Sequence, residues 1–84
     1  DIPNRKQEYK ARLWGYNMQI GLVGIIQAFE HGCHSVNEAA EFLNVPENYF
    51  INAVKCYRQK YGIYVAIDNY TIFFDPTLAV YKSL

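Results

Sequence analysis

From Leu13 to Val54 the chain contains no lysine or arginine, and from Ile63 to Tyr81 it again contains none. Its longest apolar run falls far short of the ~20 residues that cross a bilayer, so no membrane partner is expected. No charged-then-apolar leader opens the sequence, as a secretion signal would. Cysteine is scarce: Cys33 and Cys56 are too few for a disulfide framework and read as thiols of a cytoplasmic protein. An opening methionine is also lacking, which suggests a piece of a longer protein. There are no internal repeats and no low-complexity linker.

What is present compensates for small size. Of 84 residues, 51% are hydrophobic and 17% aromatic, including eight tyrosines. Such a chain can bury a core, and residues 1–84 read as one small domain. Net charge is zero but unevenly spread. Arg5, Lys6, Lys10 and Arg12 crowd the start, Glu30, Glu38, Glu41 and Glu47 occupy the middle, and Lys55, Arg58 and Lys60 follow.

Local patterns then place the elements. Pro3-Asn4 can open a helix that runs from Arg5 to about Met18, with Tyr9, Leu13, Trp14 and Met18 at helical spacing. This forms an N-terminal segment, 1–19. A helical core over 20–62 follows. Its first segment sets Leu22, Ile25, Ile26 and Phe29 on one face, and Gly32 supplies a left-handed close. Ser35-Val36-Asn37-Glu38 fits the S-x-x-E capping box. The helix it starts ends at Asn44, which tolerates left-handed geometry. Pro46 suits the first position of the next helix, whose stripe is Phe50, Val54, Tyr57 and Tyr61. In 63–84, "IYVAI" and "YTIFF" flank Asp68-Asn69, a hairpin signal, before a tail that packs or frays. The plan is α+β and mainly helical: a helix-turn-helix core followed by a β-hairpin, winged-helix-like.

A helix-turn-helix invites a DNA reading, and the charge pattern opposes it. Duplex affinity draws on lysine and arginine against phosphate. The first turn of the would-be recognition helix offers Pro46, Glu47, Asn48 and Tyr49, and the preceding helix adds Glu38 and Glu41. Asn48 and Asn52 could contact bases but contribute little affinity alone. Lys55, Arg58 and Lys60 lie toward the far end of that helix, where they suit its negative pole. Carboxylates at Glu38, Glu41 and Glu47 fit a basic protein partner better, with Asn48 and Asn52 beside them. Nucleic acid is the disfavoured partner.

Metal and nucleophile chemistry are weaker still. His31, Cys33, His34 and Cys56 are zinc-ligand types, but H-x-C-H is tighter than the usual chelating pairs. A Cys33–His34 nucleophilic pair has no third group to orient it. No catalytic residue is assigned.

Taken together, "EYKARLWGY", "SVNEAAEFLNVPENYFINAVKCYRQKYG" and "YVAIDNYTIFFDP" resemble the C-terminal half of prophage metallopeptidases of the ImmA/IrrE kind, from about Lys6 to Val80. In that family an H-E-x-x-H helix supplies two zinc ligands and a base, and a later glutamate in an E-x-x-A helix completes the site. The resemblance implies Glu8 as third zinc ligand and Ala11 as the small residue packing beside it. It also implies a repressor as substrate and the host cytoplasm as location. No H-E-x-x-H occurs in these 84 residues, so they cannot form the site alone, and zinc is expected only if an upstream segment supplies the other ligands. Two other readings stand beside this one: a phage antirepressor or inhibitor that docks through the acidic face, and a winged-helix DNA-binding regulator.

Overall fold

The computed structural model describes the backbone of residues 2–83 and side chains from Glu8 to Ser83. Four helices precede three strands: α1 (Ile2–Gln19), α2 (Gly21–Glu30), α3 (Val36–Leu43), α4 (Glu47–Tyr61), β1 (Tyr64–Ile67), β2 (Tyr70–Phe73) and β3 (Ala79–Lys82). The α+β, winged-helix-like plan is therefore present. The wing is larger than a hairpin, because the tail forms β3.

The inner line of α1 is Tyr9, Leu13, Tyr16 and Ile20, spaced by three and four residues and packed on the core. Trp14 and Met18, expected there, are each 67% exposed. Both point away from that line, since Trp14 is one residue, about 100°, past Leu13 and Met18 two residues, about 200°, past Tyr16. The helix begins at Ile2, before Pro3-Asn4, so the expected start is displaced, and the Asn4 side chain lies outside the described residues. Gly21 makes the joint to α2 with φ +67°, a conformation open to glycine and strained for other residues. On α2, Ile25 and Ile26 are buried and Leu22 and Phe29 half-buried, as the spacing predicts.

Gly32 (φ +103°) turns the chain toward the capping box. The Ser35 hydroxyl accepts the Glu38 amide at 3.1 Å, while the Glu38 carboxylate accepts the His34 amide at 2.8 Å. The glutamate thus reaches one residue further back than the standard box. Ser35→Ala is expected to cost about 1 kcal/mol, read as a lower urea midpoint at unchanged slope. Asn44 closes α3 in the left-handed region (φ 58°), and its amide reaches back to Ala40 and Glu41. Pro46 caps α4 instead of starting it: its backbone is extended, and its carbonyl accepts the Phe50 amide at 3.0 Å.

Ile25, Phe50, Tyr57 and Ile72 are the largest fully buried side chains, so one core joins α2, α4 and the sheet. The inward stripe of α4 is Phe50, Ala53, Cys56 and Tyr57, with Val54 and Tyr61 half-buried at its margins. The sheet order is β1-β2-β3, antiparallel throughout. Asp68 takes the positive φ (53°) in the two-residue turn. Two side-chain links fasten the sheet: the Tyr70 hydroxyl donates to Glu30 on α2, and Arg58 on α4 lies 3.6 Å from Asp75.

Candidate functional site

The helix-turn-helix is formed by α3 and α4, and α1 lies against α4. Tyr16 meets Tyr49 edge to face at 5.1 Å. Two surfaces of α1 result. Its outer side carries Glu8, Ala11, Trp14 and Met18 at spacings of three to four residues, all exposed. This is an apolar strip with one carboxylate at its N-terminal end, which no other described element covers. Ala11 does not make the close packing expected of it within this domain; it belongs to the open strip.

The second surface is a groove between α1 and α4. A cavity of about 380 Å³ is lined by Tyr9, Arg12 and Tyr16 from α1 and by Asn52, Lys55, Cys56 and Gln59 from α4. Among the described residues two cations, two amides, two phenols and a thiol face it, and no carboxylate does. Burial pushes the Tyr9 hydroxyl above its ordinary value, with the Cys56 thiol beside it adding to the effect. Arg58, one turn on, is held toward Asp75, and the Lys60 ammonium lies over the Tyr61 ring. Sequence reading named Asn52 but not the groove. Arg12 and Lys55 are far apart in the chain, and only the packing of α1 on α4 brings them to one cavity.

The acidic residues fall differently from a single free face. Glu38 is engaged by the His34 amide, and Glu47 accepts from the Asn37 side chain at 3.4 Å. Glu41 is exposed and makes no side-chain hydrogen bond or ion pair among the described residues. Two of the three carboxylates therefore already serve the start of α3 and its contact with α4. Asn48 and Asn52 are exposed on α4, Asn52 in the groove.

The metal-ligand types do not converge. Among the described residues no three His, Cys, Asp or Glu side chains come together as a ligand group. Cys33 and Cys56 are buried free thiols, and His31 packs on Phe42 with ring centroids 4.6 Å apart. Glu8 offers a single carboxylate, where a hydrolytic zinc site takes three protein ligands.

The outer sheet face bears on partner type as well. By register, Tyr64, Ala66, Thr71, Phe73, Ala79 and Tyr81 share it, and none is charged. Tyr64, Phe73 and Tyr81 run across the three strands with centroids 5.6 and 5.5 Å apart. This face offers phosphate hydroxyls but no cation, and duplex affinity draws on cations. Among the described residues no helix is long and apolar enough to cross a membrane. In comparison with known proteins, no family model, curated protein or solved structure matches the chain.

Proposed function

We propose that this domain is the helical and winged half of a zinc peptidase of the ImmA/IrrE kind, acting in the cytoplasm on a repressor of prophage or mobile-element genes. Its own role is protein docking, and it is catalytically incomplete. One observation carries the reading. The side of α1 turned away from the core presents Glu8, Ala11, Trp14 and Met18 together, uncovered by any other described element. An exposed tryptophan and methionine on one helix face suit contact with another segment or protein. A carboxylate at the end of that strip is placed to face whatever covers it. The three stretches that carry the resemblance also fall on α1, on α3–α4 and on β1–β2, the elements that build the fold.

Because the described residues hold only one of the required ligands, no hydrolytic step is assigned to them. The test uses the longest natural chain containing this domain. Wild type is expected to purify with zinc and to remove its repressor when co-expressed, while Glu8→Gln loses most of the metal and leaves the repressor intact. A Glu8→Gln protein that keeps full zinc content and activity would show that Glu8 is no ligand.

A further inference from the structure

We propose that the groove between α1 and α4 binds a carboxylate-bearing peptide segment of a partner protein, with Arg12 and Lys55 as the counter-charges. The proposal rests on the reading of the domain as a docking module, but not on zinc or Glu8.

Charge comes first. Among the described residues the groove walls carry Arg12 and Lys55 and no acid. Among the described residues neither cation has an ion-pair partner, whereas Arg58 pairs with Asp75. Glu8 lies one turn before Arg12 on the same helix and does not line the cavity. Two like charges set around one cavity repel each other, and an anion between them relieves that repulsion. Hydrogen bonding comes second. Asn52 and Gln59 can donate to a peptide carbonyl and accept from a peptide N–H, and Tyr9 and Tyr16 add hydroxyl donors. A carboxylate needs several donors to replace its water, and this wall provides them.

Size and surroundings select peptide over nucleic acid. A duplex-binding surface spreads many cations along a backbone, on the order of six to ten phosphate contacts. This groove has two cations, and about 380 Å³ is the scale of a short polar segment. Around it, Glu47 stands at the start of α4, Asp68 at the wing tip, and the outer sheet face is uncharged, while the adjacent Arg58 is drawn toward Asp75 and Lys60 lies over the Tyr61 ring.

The test is a titration of the 84-residue chain with fluorescein-labelled oligoglutamate, followed by amide shifts in NMR. Oligoglutamine, free glutamate and a duplex oligonucleotide serve as comparisons. Oligoglutamate is expected to bind at low salt and to shift the Asn52 and Gln59 side-chain amides. Arg12→Gln and Lys55→Gln should each weaken binding about three-fold, as single exposed charges do. The double reversal to glutamate should abolish it, and salt above the screening range should release the peptide. Glu41→Gln, outside the groove, should leave binding unchanged, and circular dichroism confirms that each variant is folded. Equal binding of oligoglutamine, or oligoglutamate binding that survives the folded double reversal, would overturn the assignment. So would retention of the duplex more tightly than the peptide, or saturation by free glutamate alone. Loss of the Glu8-dependent zinc result would not touch any of these outcomes.

Discussion

Phe50→Ala is expected to destabilise the domain by about 3–5 kcal/mol, enough to unfold much of it at room temperature. Phe50 is fully buried in the first turn of α4, directly after the turn that joins the two helices of the helix-turn-helix. Removing its ring forfeits burial and leaves a void between α4 and the rest of the core. Small domains bury a smaller fraction of their surface, so the neighbours have little spare stability with which to absorb the loss. Urea unfolding followed by circular dichroism reads the effect. A loss below about 1 kcal/mol would mean that α4 is not anchored where the structure places it. The helix-turn-helix would then lack its central contact.

A second large effect appears in alkali. The Tyr57 side chain is fully buried, and its hydroxyl has no hydrogen-bond partner of ordinary geometry, although it faces the backbone of Gly21. Burial pushes its pKa up from 10.0 to about 12. The folded state therefore holds this proton more tightly than the unfolded chain. The associated stability is fully present below pH 10 and is lost as pH rises from 10 through 12, by about 2–3 kcal/mol. Tyr70, whose hydroxyl donates to the Glu30 carboxylate, and Tyr9 shift in the same direction and add to the loss. Tyr57→Phe keeps the ring against Tyr61 and Phe74, with centroids 6.3 and 6.4 Å away, and deletes the unpaired hydroxyl. At neutral pH it should be neutral or stabilising by up to about 1 kcal/mol, and the alkaline loss should shrink. A wild-type chain that keeps its stability to pH 12 would contradict the burial of this phenol.

Much of the fold could be read from local chemistry, and the misses have identifiable causes. Ser35, Asn44 and Gly32 act within a turn of their own positions, so their capping and left-handed roles are fixed locally. The strands flanking Asp68-Asn69 are set by β-branched and aromatic residues on either side of a turn. Trp14 and Met18 mislead because two helical stripes compete on α1, and hydrophobicity alone favours the exposed one. Tyr16 sits in the inner line, but its partner Tyr49 comes from a distant helix, so no local spacing marks it. The last strand carries little local signal, because "AVYK" is short and gains its stability by pairing with β2.

The candidate site divides in the same way. Glu8 comes from the resemblance alone, and in the fold it is an exposed residue of α1. The acidic face read from Glu38, Glu41 and Glu47 took no account of which carboxylates the scaffold itself uses. The groove of Arg12, Asn52 and Lys55 is a tertiary object with no signal in any single window. Arg12 belonged to a basic N-terminal cluster and Lys55 to a helix end, each with an ordinary explanation by itself.

The central claim is that a helix-turn-helix scaffold here serves protein contact instead of DNA. The most direct measurement is competitive capture by the immobilised 84-residue chain, at low salt, of the proposed repressor substrate against a duplex of random sequence. The account predicts retention of the repressor, lowered by Arg12→Glu with Lys55→Glu, and passage of the duplex. Retention of the duplex in preference to the repressor, lost on changing Asn48 or Asn52 to alanine, would contradict it.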